Sequence, residues 1–174
     1  MGQYYKCIIL AEKPVEGVPE YVCEHVNPHA YREGAKLIEH AYCNTGFMRA
    51  VEGLLRKGGS WHKSRVVWAG DYADVEPDSE YNLYHSIGDE NPGFMGVGCL
   101  QVYPFIVNHT KKEYVMKMNQ FHPLPILTAE GNGRGSGDYR GADEDLVGTW
   151  ARHVISVEME APADYTMLVH NFGE

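Results

Sequence analysis

Positions 131–141 read Gly-Asn-Gly-Arg-Gly-Ser-Gly-Asp-Tyr-Arg-Gly, the densest run of glycine and arginine in the chain. Backbone N–H groups that carry no side chain can converge on phosphate or carboxylate oxygens. The guanidinium forks of Arg134 and Arg140 add donors that match such oxygens in pairs, and Ser136 adds a hydroxyl. A flat aromatic face on Tyr139 or Trp150 would hold the planar part of a ligand while the donors hold its charge. The pattern therefore predicts a receptor for an anionic small molecule, a nucleotide or related phosphate compound. It would be built from Gly131, Gly133, Arg134, Gly135, Ser136, Gly137, Tyr139, Arg140 and Trp150. The run lacks the last glycine of G-x-G-x-x-G, and no Gly-Lys-Ser or Gly-Lys-Thr occurs, so it is neither a dinucleotide fingerprint nor a P-loop. The competing reading is a surface loop whose glycines only permit tight turns.

Acid–base chemistry has separate candidates. Asp71 and Asp74 follow an apolar run and a glycine, and His109 stands beside Thr110, Lys111 and Lys112. Added to the glycine-rich receptor, Asp71, Asp74 and His109 would make a hydrolase or transferase acting at phosphorus, provided they meet at hydrogen-bond distance. Glu76 and Asp78 extend the carboxylate set, but Ser79 and His85 stand where a calcium loop needs Gly and Glu. Cys23, His25 and His29 come nearest to a zinc set, yet Pro28 interrupts them and no H-E-x-x-H occurs. No metal site is expected, and no cofactor is named by the sequence. Cys43, at the start of a helical pattern, reads as a buried thiol before a nucleophile.

Composition limits the partners. The 174 residues suit one domain spanning 1–174, and 24 acidic against 15 basic side chains give a net charge of -9. That balance disfavours long nucleic acid and anionic membranes. Four widely spaced cysteines without a C-x-x-C pair, and an N-terminal segment unlike a secretory signal, point to a reducing, cytoplasmic setting. Residues 71–90 hold seven acidic and no basic side chains, whereas residues 49–65 hold five basic ones against Glu52 alone. Pairing of these two segments between copies would suit a third reading, an oligomeric structural or interaction protein.

The elements that must position these groups follow from periodicity and punctuation. Residues 4–11, 21–26 and 65–69 read as strands, and residues 100–107 and 113–118 as a hairpin. Short strands are also expected at 126–129 and 165–169, with short apolar segments at 146–150 and 154–159. Asn27-Pro28 opens a helix expected to run to Tyr42, and Asn44 or Thr45 caps a second that Gly58 stops. His122-Pro-Leu-Pro reads as rigid and extended. The expected fold class is α+β, a largely antiparallel sheet with two N-terminal-half helices packed on one face.

Overall fold

The computed structural model describes residues 2–12, 20–118, 120–132 and 139–174, in which eight strands and three α-helices form an α+β fold. The strands are β1 (Tyr5–Leu10), β2 (Val22–Val26), β3 (Ser64–Gly70), β4 (Phe105–Asn108), β5 (Glu113–Met116), β6 (Ala129–Glu130), β7 (His153–Glu158) and β8 (Thr166–Met167). The helices are α1 (Gly46–Leu55), α2 (Leu83–Ser86) and α3 (Leu124–Leu127). One largely antiparallel sheet has the order β2-β1-β3-β7-β4-β5-β8. Opposite β1, the edge of β3 is shared: β7 pairs with Ser64–Val66 positions, and β6 pairs in parallel with Trp68 and Ala69.

Strand alternation divides the interior in two. Tyr5, Cys7 and Ile9 of β1 and Val66 and Trp68 of β3 face α1, where they meet Phe47, Met48, Val51 and Leu55. Ile8, Leu10, Val67 and Ala69 face the other way and are covered by Leu83 and Ile87 around α2. Both strands are thus buried on both sides, as their near-continuous apolar sequences require. Full burial of each Phe, Leu, Ile or Val is worth about 1.5–3 kcal/mol, so the α1 stripe contributes substantially to holding that helix on the sheet.

Helix α1 starts where its cap predicts. The Thr45 hydroxyl accepts the Met48 N–H at 3.1 Å, and the apolar residues recur at helical spacing. Past its end, Gly58 takes a positive φ of 84°.

The segment before α1 departs from expectation. Asn27 and Pro28 do start a turn, with the Asn27 side chain accepting the His29 N–H at 3.1 Å. Instead of one α-helix, however, two 3-10 turns form, at Pro28–Tyr31 and Leu37–His40. Arg32 turns left-handed with φ 56°, and the Glu39 carboxylate folds back to accept the Lys36 N–H across Gly34. A Cβ on Gly34 would stand 2.2 Å from Glu39 Oε2, so glycine is what allows this return. His40 anchors the segment to the sheet: Trp68 Nε1–H donates to its Nδ1 at 2.9 Å, and its Nε2 lies 2.7 Å from the Gly34 carbonyl.

Two further expectations shift. The extended reading of His122–Pro125 gives way to α3, because Pro125 falls within the first turn, where its missing N–H leaves no helical bond unmade. The strand expected over 100–107 contracts to Phe105–Asn108, after Pro104. No helix among the described residues is long and apolar enough to cross a membrane.

Candidate functional site

Of the predicted site residues that are described, Tyr139 and Arg140, Asp74 and Gly131, and His109 line three different cavities, while Asp71 and Trp150 line none of these. Gly133, Arg134, Gly135, Ser136 and Gly137 lie outside the described residues.

Tyr139 and Arg140 line the first cavity, of about 430 Å³, together with Tyr42, Phe121, His170 and Phe172. Its wall is built by pairing of segments distant in sequence. Tyr42 and Phe121 form an antiparallel bridge, the Cys43 N–H donates to the Gln120 carbonyl at 2.7 Å, and the His122 N–H donates to the Ala41 carbonyl at 2.9 Å. Gln120 takes φ 63° to close the tight turn, in which the Phe121 N–H reaches the Met118 carbonyl.

A buried charge network holds this wall to α1. Glu52 Oε1 receives Lys117 Nζ at 2.5 Å and His122 Nε2–H at 2.9 Å. Burial works against the Glu52 carboxylate, yet the His122 hydrogen bond and the Lys117 ammonium keep it below the usual carboxylate range. Burial also lowers His122, so it is the neutral donor and Lys117 the counter-charge.

The opposite wall is aromatic. Phe172 stacks with His170 at 4.7 Å between centroids and meets Tyr139 edge-on at 5.6 Å and Phe121 at 6.3 Å. The Tyr139 hydroxyl donates to the Ala142 carbonyl at 2.6 Å, so its ring is fixed. Arg140 is exposed, and its Nη1 lies 3.4 Å from the Tyr139 carbonyl. Burial lowers His170, which leaves Arg140 as the cationic side chain on this lining. Such a cavity can take a flat ring between aromatic faces with an anionic group at the arginine.

Asp74 and Gly131 line the second cavity, of about 420 Å³. Its cation is Arg152, but that guanidinium is already engaged. Nε and Nη2 donate to the two oxygens of Glu130 at 2.7 and 2.8 Å, Nη1 donates to Glu76 Oε2 at 3.0 Å, and Nη2 also contacts Glu76 Oε1. Burial opposes the charge on Arg152, but these bonds outweigh it and raise its affinity for the proton. With Asp74 exposed nearby, the lining holds more negative than positive side chains and repels an anion. Gly131 is glycine for packing: a Cβ there would lie 2.5 Å from both Gln3 Oε1 and the Tyr5 hydroxyl. Asp71 serves the fold, its Oδ1 accepting the Tyr4 N–H at 2.9 Å while its carbonyl accepts from Asn82.

His109 lines a third cavity, apart from Asp74. Both of its ring nitrogens are engaged, Nε2 with Ser156 Oγ at 2.7 Å and Nδ1 with the Tyr165 hydroxyl at 3.1 Å. Trp150 is corrected outright: it is fully buried and its Nε1–H donates to Glu113 at 3.1 Å, so it offers no face to a ligand. Among the described residues no group of three or more His, Cys, Asp or Glu side chains is arranged to hold a metal ion.

Sequence reasoning missed Tyr42, Phe121, His170 and Phe172. They are far apart in the chain and share no motif, and only the aromatic richness of the composition hinted at them. Comparison with known protein families, curated proteins and solved structures finds no match to this chain.

Proposed function

We propose that the protein binds a flat, negatively charged small molecule, a nucleotide or related phosphate compound, in the cavity of Tyr42, Phe121, Tyr139, Arg140, His170 and Phe172. One observation carries this reading: an exposed arginine stands on a cavity that Tyr42, Phe121, Tyr139 and Phe172 line with aromatic rings, although Glu174 adds a carboxylate to the same lining. Stacking and charge pairing then recognise different parts of one ligand. Arg140 is one of the two arginines in the run that the sequence singles out for anion capture. Gly133, Arg134, Gly135, Ser136 and Gly137 belong to the same run and lie outside the described residues.

Calorimetric titration against nucleoside monophosphates and sugar phosphates tests the proposal. Saturable binding with Kd below about 1 mM is expected for at least one nucleotide, with sugar phosphates weaker because they cannot stack. Arg140→Gln should weaken nucleotide binding by roughly tenfold or more, the scale of one charge-assisted hydrogen bond. Tyr42→Ala should weaken it by a similar factor through the lost stacking face. Absence of binding at millimolar nucleotide, or equal affinity in both variants, overturns the reading.

A further inference from the structure

We propose that the cavity beside His109 is a second, separate site, in which His62 acts as general base in the hydrolysis of a small ester carrying one negative charge. The alternation of β7 is the starting point. Ile155 and Val157 enter the α1-side core, which turns Ser156 and Glu158 the other way. His62, just ahead of β3, brings Nε2 to 2.8 Å from Glu158 Oε1. Ser156 Oγ lies 2.8 Å from the same oxygen, and His109 and Tyr165 extend the chain from Ser156.

The protons of this chain have one self-consistent arrangement. Burial would raise the Glu158 carboxyl, but hydrogen bonds from His62 and Ser156 hold it below its usual range, so at neutral pH it only accepts. The single O–H of Ser156 therefore donates to Glu158, and its oxygen accepts the Nε2–H of His109. Nδ1 of His109 is left to accept from Tyr165. A neutral His109 is what burial produces, pulling it from 6.5 to about 4. Every donor thus leads toward one carboxylate, which is fixed in place and in turn fixes His62. Of the four ring nitrogens in this cluster, Nδ1 of His62 is the one without a partner among the described residues. A carboxylate that takes one N–H of an imidazole and leaves the other nitrogen open orients a general base.

The surroundings define the substrate. The cavity measures about 730 Å³, with Lys57 and Lys63 exposed on its lining. Glu160 and Asp164 line it too, so a polyanion is disfavoured while a single carboxylate can pair with a lysine. In the step, His62 Nδ1 takes a proton from a water whose oxygen adds to the ester carbonyl carbon. The bond from that carbon to the leaving oxygen then breaks, and the departing alkoxide takes the proton back from His62. Acid and alcohol are the products, and no co-reactant besides water is consumed. A lysine ammonium offsets the charge that develops on the carbonyl oxygen. His62 is the catalytic residue, and Glu158, Ser156 and His109 position it.

The test is hydrolysis of 4-nitrophenyl succinate by the full chain, with 4-nitrophenyl acetate as the uncharged comparison. The wild type should turn over the succinate faster than the acetate. His62→Ala should lose roughly 100-fold in kcat/KM, and added imidazole should restore part of it. Lys57→Gln with Lys63→Gln should raise KM for the succinate and narrow its preference over the acetate. Ser156→Ala should lower kcat with little change in KM. Because Ser156 is fully buried, Glu158→Gln repeats that test at a partly exposed side chain. A wild type no faster than buffer, a His62→Ala variant that keeps the rate, or failure of imidazole to rescue it overturns the proposal. The titrations of the aromatic cavity read a different site, so either proposal can fail alone.

Discussion

Replacing Glu52 by Gln removes the charge on which the wall of the aromatic cavity rests. The Glu52 and Lys117 side chains are 7% and 8% exposed, and the His122 side chain only 1%. Glutamine keeps a carbonyl oxygen for one of the two donors, but it cannot balance the Lys117 ammonium. Removing one partner of a buried pair typically costs about 3–5 kcal/mol, because the remaining charge is left without a counter-ion. In a domain of this length each kcal/mol lowers Tm by about 2–4 °C, so a fall of roughly 6–20 °C is expected. Urea unfolding followed by circular dichroism measures the free energy directly. Glu52→Gln combined with Lys117→Met, which removes both charges, should recover much of the loss. A loss below about 1 kcal/mol, the range of exposed ion pairs, would refute the reasoning. A double variant no better than the single one would refute it equally.

Three further outcomes follow from the same reasoning. Burial lowers His40 from 6.5 to about 4, so between those values the unfolded chain binds a proton that the native chain does not. Stability from this group is complete above 6.5 and declines as pH falls toward 4, by about 3 kcal/mol in all. Urea midpoints at pH 7.5 and pH 5 should therefore diverge less in His40→Gln than in the wild type. A Cβ on Gly98 would stand 2.1 Å from the Arg49 carbonyl carbon in α1, so Gly98→Ala should destabilise by about 1–3 kcal/mol in urea unfolding. Arg152→Gln leaves Glu76 and Glu130 without their shared counter-ion, and its thermal midpoint should fall, but by less than that of Glu52→Gln because Arg152 and Glu130 are partly exposed.

The elements legible in the sequence are those set by local pattern together with punctuation. The apolar run before Glu12 gave β1, and Thr45 with the stripe of Phe47, Met48, Val51, Leu54 and Leu55 gave α1. The chain between Pro28 and Tyr42 was not legible, because its apolar spacing suits a helix while the folding of Glu39 over Gly34 divides it. Leu124 stands in α3 despite the proline that follows it, since complete burial of Leu124, Ile126 and Leu127 overrides a local preference. At the candidate site Tyr139 and Arg140 were visible as members of an unusual run. Phe121, His170 and Phe172 were not, because only tertiary pairing brings them to those two residues. His109 stood out among polar neighbours, but the His62 nitrogen that has no partner among the described residues depends on the register of β7 and has no signature in spacing.

Titration of the isotope-labelled protein with adenosine monophosphate, read in its aromatic and arginine side-chain NMR signals, tests the binding proposal most directly. Shifts that saturate together and centre on Tyr42, Phe121, Tyr139, Arg140, His170 and Phe172 are expected, and Arg140→Gln should move their saturation to roughly tenfold higher nucleotide concentration. Shifts centred on His109 and Tyr165, or on the Arg152 cluster, would contradict it, as would a spectrum that the nucleotide leaves unchanged.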